Sequence, residues 1–335
     1  MAVTLKEVAE RAGVSRSAVS RTFTDGASVS DKMRRKVEKA ARELGYSPNA
    51  LASSLTTGRT KLIGLISDNF HNPFFLKAFD VFTSGLQARD LRPLLVNLTS
   101  MPDPDDAVQM LRQYSVDGVI VASSTVPPSF ATLFEKANIP AVFAFARYRG
   151  SANSNVVGID NEFAGAFAAR TLIERGYRNI AYLGGPQAAV STTDRLKGFS
   201  AEMASHGLGF THTFSGKYSF QAGRTEMLRL IDQGDLAEVY FGADDIISIG
   251  ALSALESRGI RVPEDVGILG LNDLEMAGWE NINLTTIRQP IGQIASASVD
   301  LMVSLLDEPG RHPEARLFPC TLIERGTLKP LKIGA

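Results

Sequence analysis

From residue 62 onward the chain alternates short apolar runs with stretches of helical periodicity, and it does so twice. "LIGLIS" at 62, "PLLVNL" at 93, "GVIVAS" at 118 and "PAVFAFA" at 140 form one set; "NIAYLGG" at 179, "VYFGADD" at 239 and "VGILGL" at 266 form another. Strands interleaved with helices join as βαβ units into parallel sheets, so two sets predict two α/β lobes. The run "LTTIRQP" near 284 and a strand near Leu317 predict that the chain crosses back between them. Ligands of parallel α/β sheets sit outside the carboxyl ends of the strands, which puts a candidate site in the cleft of this clamshell.

The 335 residues, 44% of them hydrophobic, suffice for two or three compact units with proper cores. No apolar run approaches the ~18 residues of a membrane span. The start, "MAVTLKEVAERAG", has neither the basic n-region nor the apolar h-region of an export signal. The expectation is a cytoplasmic protein with no membrane partner. A single cysteine, Cys320, excludes an internal disulfide, and four scattered histidines offer no metal-ligand cluster. Neither a metal nor a cofactor is expected. The formal net charge of −1 conceals an asymmetry, because residues 1–61 carry 12 Lys/Arg against 6 Asp/Glu and the remainder carries 23 against 30. A basic head implies a polyanionic partner, although a solvated basic helix face gives the same count.

Within that head, "TLKEVAERAG" carries a helix start signal. Thr4 and Glu7 have capping-box spacing, Leu5, Val8, Ala9 and Ala12 share a face, and Gly13 ends the helix. "VSRSAVSRTF" restarts with Ser15 as N-cap and Val14, Val19 and Phe23 pointing back. Two short helices joined by a tight glycine turn form the helix-turn-helix pattern. A third helix is predicted over Asp31 to Leu44, with Gly45 as C-cap and Val37, Ala40, Ala41 and Leu44 closing a small core. In this geometry the second helix lies in the major groove of DNA with its N-terminal residues against base edges. Arg16, Ser17, Ser20 and Arg21 remain outside the core. Arginine grips guanine O6 and N7 or clamps a phosphate, and the shared position at the front of the helix favours base reading for at least one of the two.

The next segment, "SPNALASSL", starts a helix at Pro48 that "TTGRT" breaks after Leu55. An isolated helix of under ~12 residues is marginal in water, so something outside the segment must fold it. Leu51 and Leu55, four apart, share its face. A plain linker is the alternative, which Gly- or Pro-rich sequence would suit better.

Taken together, "TLKEVAERAGVSRSAVSRTF" and "VSDKMRRKVEKAARELGYSPNALASSL" resemble the DNA-binding head and hinge of the LacI/GalR family of regulators. The resemblance implies that Arg16, Ser17 and Arg21 read an operator half-site and that Thr4, Ser20, Ser30, Tyr46 and Asn49 hold the phosphate backbone. It also implies paired hinge helices in the minor groove, with Leu51 meeting its dimer mate and Leu55 wedged between base pairs. Thr24 stands where the family often has Asn, and Met33 where it often has Thr.

The likeness continues through "NPFF" at 72, "TDRLKGF" at 193, "GKYS" at 216, "GADDIISIGALSALESRGIRVPEDVGILGLND" at 242 and "LTTIRQP". By matching position, Arg195 holds effector oxygens, Tyr218 is the aromatic on which a sugar ring or base lies, and Phe74 forms the opposite wall. Both aromatics also read as ordinary lobe-core residues. Asp244-Asp245 stands where the family commonly has Asn-Asp, and Asn272-Asp273 where it has Asp-Asp. Asp244 and Asn272 therefore read as cleft contacts with amide and carboxylate exchanged. "FAFARY" lacks a frequent Asp and offers Phe145 and Arg147. A second arginine beside Arg195 favours a carboxylate or phosphate on the ligand, unless Arg147 is a surface residue past the strand end.

The implied fold is an all-α helix-turn-helix head plus an α/β two-lobed body, periplasmic-binding-protein-like, with parallel sheets. The expected division is a DNA-binding domain over 1–46, a hinge helix and linker over 47–60, and an effector-binding and dimerisation domain over 61–335. Its lobes are expected at about 61–160 with 290–318, and about 161–289 with 319–335. The implied protein is a homodimeric repressor on a near-palindromic double-stranded DNA operator, controlled by a sugar or sugar derivative between the lobes. The alternatives are a cleft-bearing sugar-processing enzyme or a periplasmic-type sugar-binding protein. No G-x-S-x-G, H-E-x-x-H or P-loop pattern supports catalysis, so no catalytic residue is assigned.

Overall fold

The computed structural model describes residues 3–24, 26–47, 54, 58–101, 103–123, 126, 129–147 and 154–331. Asn49, Leu51 and Leu55 of the expected hinge lie outside the described residues. Residues 1–61 form one compact unit and residues 62–335 a second.

The first unit is all-helical. Helix α1 (Leu5–Ala12) opens with a reciprocal capping box, in which the Thr4 amide donates to Glu7 Oε2 at 2.7 Å and the Glu7 amide donates to Thr4 Oγ1 at 3.4 Å. Gly13 ends it in the left-handed conformation at φ 58°, which costs a residue without a Cβ nothing. Helix α2 (Arg16–Thr22) follows behind Ser15, and α3 (Asp31–Leu44) runs from Ser30 to a second left-handed cap at Gly45. Val8, Ala9, Ala12, Val19, Val37, Ala40 and Ala41 form the core, with Met33 packed at its edge. Arg11 on α1 and Glu43 on α3 pair at 2.8 Å.

The second unit contains two six-stranded sheets. The first lobe runs β1 (Leu62–Ser67), α4 (Pro73–Gln87), β2 (Arg92–Asn97), α5 (Pro104–Gln113), β3 (Gly118–Ala122), α6 (Ser129–Lys136), β4 (Ala141–Ala144) and β5 (Asn155–Gly158). The second runs α7 (Asn161–Glu174), β6 (Ile180–Gly184), α8 (Val190–Ser205), β7 (Thr211–Phe214), α9 (Phe220–Gln233), β8 (Val239–Gly242), α10 (Asp245–Ser257), β9 (Gly267–Leu271) and β10 (Thr286–Arg288). Helix α11 (Ile291–Asp307) then packs back on α4, β11 (Ala315–Leu317) joins the first sheet beside β5, and β12 (Thr321–Ile323) joins the second beside β10.

Strand order is β11-β5-β4-β3-β1-β2 in one lobe and β12-β10-β9-β8-β6-β7 in the other. The first sheet is parallel throughout; the second departs from the expected parallel pattern only at its edge, where β12 pairs antiparallel to β10. Strands β3, β6 and β9 are buried along their whole length, because helices cover both faces. This is why they read as unbroken apolar runs. In both sheets the chain leaves one central strand in opposite directions, at β1/β3 and at β6/β8, and each reversal opens a crevice at the carboxyl ends.

Candidate functional site

Loops at the carboxyl ends of the strands converge on a cavity of about 30 Å³ between the lobes. That holds no more than a water or two, against the several hundred Å³ of a small-molecule pocket. Aromatic side chains occupy the remaining space. Phe74 and Phe75 come from the first turn of α4, and Phe145 lies just past β4; the Phe74 and Phe145 ring centroids are 4.8 Å apart, edge to face. Phe145 has φ 61°, an uncommon conformation for a bulky side chain, held by its amide donating to the Val157 carbonyl at 2.7 Å.

The opposing wall belongs to the second lobe. Tyr218 lies against Gly185, where a Cβ would overlap its ring, and its hydroxyl pairs with Ser191 Oγ at 3.0 Å and Thr192 Oγ1 at 2.7 Å. Arg195, on the second turn of α8, is 6% exposed. It donates from Nε to Asn161 Oδ1 at 2.8 Å and from Nη1 to the Ala243 carbonyl at 2.7 Å. Both acceptors are neutral, so the guanidinium is fixed in orientation while its charge stays available to the cavity.

Asp244 caps α10. One carboxylate oxygen accepts the Ile246 amide at 2.8 Å, and the other accepts two side-chain amides, from Asn272 at 3.0 Å and from Asn72 at 3.1 Å. Gln289 in turn donates to Asn272. Burial raises the Asp244 pKa above the ordinary carboxylate range, against these hydrogen bonds and the Arg195 charge, which act to lower it. Asp245 points away, accepting the Leu274 amide at 2.8 Å and the Thr286 hydroxyl at 2.6 Å. Its burial pushes the pKa to about 7.

Phe74, Arg195, Tyr218, Asp244 and Asn272 thus line one cavity. Arg147 does not. It crosses the cleft mouth and donates from Nε to Asp194 Oδ2 at 2.7 Å, and from Nη2 to Asp194 Oδ1 and Thr193. The physical reason is proximity, since Asp194 offers a carboxylate at the lobe boundary one residue before Arg195. Phe75, Ile159 and Ser191 of the lining carried no sequence assignment, and neither did three of its amide side chains, Asn72, Asn161 and Gln289. Asn72 was legible as the N-cap before Pro73, and Gln289 stands inside a quoted motif, but neither position betrays that its amide reaches across elements.

In the helical unit, Arg16, Ser17, Ser20 and Arg21 are exposed on α2. Ser17 Oγ pairs with Ser15 Oγ at 2.9 Å, and Arg21 Nε donates to the Ser17 carbonyl at 3.4 Å. Thr4 and Ser30 are exposed helix caps, and Tyr46 is half-buried with its ring 5.9 Å from that of Phe23. Thr24, in place of the frequent Asn, donates back to the Ser20 carbonyl at 2.9 Å. Among the described residues, no group of His, Cys, Asp and Glu could hold a metal ion, and no helix is long and apolar enough to cross a membrane.

A helix-turn-helix unit followed by a two-lobed α/β unit with a polar, charged cleft defines a ligand-controlled DNA-binding regulator. Comparison with known proteins agrees. Residues 4–49 match the model for bacterial regulatory proteins of the lacI family, and residues 169–328 match a periplasmic binding protein-like domain. The chain is 30% identical over 329 residues to the HTH-type transcriptional repressor PurR of Erwinia tasmaniensis, covering 96% of each chain. Among solved structures, the lac repressor dimer bound to operator and the anti-inducer ONPF superposes with a TM-score of 0.87 at 27% identity, over 98% of this chain and 99% of that one. The regulator CelR in complex with cellobiose gives 0.72 at 27%, over 97% and 99%. The chain belongs to the lacI family of bacterial regulatory proteins. It is a sequence-specific DNA-binding repressor regulated by a small-molecule effector, and not an enzyme.

Proposed function

We propose that the effector is a sugar or sugar derivative bound between the lobes, and that the protein acts as a homodimer on a near-palindromic operator. Arg16, Ser17 and Arg21 read each half-site, while Thr4, Ser20, Ser30, Tyr46 and Asn49 hold the backbone. Leu51 and Leu55 serve as the paired minor-groove hinge. One observation carries the effector assignment: a buried guanidinium, Arg195, with neutral partners faces aromatic walls and the Asp244–Asn272 pair in a single cavity. An apolar face with convergent donors and acceptors is what a polyhydroxyl ring requires.

The small cavity volume supports an effector that enters by parting the lobes, which takes Asn72 off Asp244 and Arg147 off Asp194. A ligand that favours the parted form shifts the population toward it and alters operator affinity. The test is a thermal-shift screen of sugars, amino sugars, sugar acids and sugar phosphates, followed by gel mobility shifts on palindromic fragments from the gene's own upstream region. Stabilisation by one class, with a matching change in fragment binding, is expected. Binding that is indifferent to every member of the screen, or turnover of a member, overturns the reading.

A further inference from the structure

Strand β9 ends at Leu271, and the chain then turns through two consecutive residues in conformations that most side chains avoid. Asn272 has φ 126° and Asp273 has φ 57°, and neither is a glycine. Such conformations persist only where the surroundings over-determine them, and they concentrate at ligand clamps and switch regions. The side-chain amide of Asn272 donates to Asp244 at 3.0 Å and accepts from Gln289, both of them cavity residues. The geometry of this contact therefore depends on whatever holds the turn.

Asp273 supplies that support. Its Oδ2 accepts from Arg288 Nε at 2.6 Å and its Oδ1 from Arg325 Nη2 at 2.7 Å, and its side chain is only 9% exposed. Two consecutive residues at the end of β10 thus serve two consecutive residues of the turn: Arg288 holds Asp273 and Gln289 holds Asn272. Arg325 is fixed in its own right, its Nη1 donating to the Leu284 carbonyl at 2.8 Å and its amide to Thr285 Oγ1 at 2.9 Å. It stands two residues past β12, the strand that the chain enters directly after crossing from β11 in the first lobe. The Asp273–Arg325 pair therefore ties the turn to the crossover segment. On its far side the turn is closed by the Leu274 amide, which donates to Asp245 at 2.8 Å.

We infer that Asp273 is a positioning residue for the effector site: clamped between Arg288 and Arg325, it holds the strained turn that aims the Asn272 amide into the cavity. The inference rests on the effector reading above and deepens it. The Asp273 carboxylate faces its two arginines, and it acts on the effector through Asn272. A carboxylate between two guanidiniums makes charge-assisted, directional contacts on both of its oxygens. An asparagine in its place keeps the size and tolerates a left-handed φ, but offers the two arginines one acceptor and no charge. The Asn substitution therefore removes the clamp without adding backbone strain.

The experiment is calorimetric titration of the full-length protein, well below its melting transition, with glucose, galactose, glucosamine and glucuronate. The comparison set is the wild type, Asp273→Asn, Asn272→Gly, the double variant and Arg195→Ala. For whichever sugar binds the wild type, Asp273→Asn is expected to weaken Kd about tenfold, the loss of one well-placed hydrogen bond. Glycine accepts φ 126° without strain, so Asn272→Gly removes both the amide and the need to position it. In that background Asp273→Asn is expected to change Kd less than about twofold, whereas a merely structural Asp273 would cost the same factor in both. The one tryptophan of the chain, Trp279, is exposed in the same loop, and the Arg325 guanidinium lies against Gly278 beside it. Acrylamide quenching of its emission therefore reports the turn without any sugar, and is expected to rise in Asp273→Asn. Equal losses in the two backgrounds overturn the inference and leave the effector reading standing. So does an Asp273→Asn protein with unchanged Kd and unchanged quenching where Arg195→Ala abolishes binding. Failure of every sugar to bind the wild type overturns both.

Discussion

Asn72, the N-cap of α4 in the first lobe, donates across the cleft to Asp244, the N-cap of α10 in the second, at 3.1 Å. Each residue also satisfies its own helix, through the Phe74 amide at 3.0 Å and the Ile246 amide at 2.8 Å. Two helix N-termini, both positive ends, therefore share one carboxylate. Parting the lobes separates the two caps without uncapping either helix. The cleft can open while each lobe stays intact, which a ligand-controlled switch needs.

Removing that bridge has a defined cost. Asn72→Ala deletes the cap of α4 together with one donor to a buried carboxylate, and caps alone are worth about 0.5–2 kcal/mol. Chemical denaturation should show a loss of at least about 1 kcal/mol. Asn72→Ser keeps the cap while shortening the reach to Asp244, and should recover most of the stability without restoring the bridge.

The pair between Arg147 and Asp194 predicts the opposite sign from a ligand contact. Arg147 is 33% exposed, and ion pairs at such positions contribute roughly 0–1 kcal/mol. If the pair holds the lobes together, Arg147→Ala should populate the parted form and tighten effector binding several-fold, since affinity follows the fraction of competent molecules. Calorimetric titration of the effector found in the screen checks this. Weakened binding would return Arg147 to the role of an anion contact.

Asp245 sets a pH dependence. In the unfolded chain its carboxyl titrates at the ordinary 3.8, whereas burial in the folded protein moves it to about 7. Between those values the native state holds more protons than the unfolded state, so stability falls as pH rises through the window and levels off above about 7. Asp244 is shifted in the same direction and adds to the slope. Urea denaturation of Asp245→Asn between pH 4 and 8 should show a flatter profile than the wild type.

Much of this architecture was legible because it rests on local signals. The capping box at Thr4 and Glu7, the left-handed glycines 13 and 45, and the unbroken apolar strands β3, β6 and β9 each declare themselves within a few residues. Strands β5 and β7 did not. Each has four residues, and β7, "THTF", has a single apolar residue at a sheet edge, so periodicity has little to register. In the cleft, residue types showed which groups could converge, but not which would neutralise each other. Arg147 reads as a ligand contact until Asp194, 47 positions away, is seen beside it. The clamp of Arg288 and Arg325 on Asp273 is likewise a property of packing that no run of letters encodes.

On the DNA side, Arg16 and Arg21 project from an exposed face of α2 whose buried residues are Val19 and Thr22. Replacing either with Ala should leave the head folded. If an arginine reads a guanine bidentately, its loss costs about 1–3 kcal/mol and relaxes preference at one base pair; if it clamps a phosphate, affinity falls evenly across sequences and the salt slope drops by about 1. Fluorescence anisotropy on operator variants at several salt concentrations separates the two for each residue.

The position of Arg195 depends on a glycine contact between helices. A Cβ on Gly165 of α7 would lie well under 3.0 Å from the Arg195 carbonyl oxygen, and one on Gly198 of α8 equally close to the Glu162 carbonyl. The two backbones are therefore in direct contact at the turn that carries Arg195, and neither can yield as a side chain would. Gly165→Ala must push α8 outward and carry the guanidinium away from Asn161 and the Ala243 carbonyl. Such overpacking typically costs about 1–3 kcal/mol. The expected result is a lowered melting temperature and a loss of effector response exceeding what the stability change explains, with operator binding by the helical unit retained. Gly209→Ala, where nothing lies within 4 Å of the added methyl, should change neither property. A Gly165→Ala protein with full effector affinity would show that Arg195 is positioned by its hydrogen bonds alone.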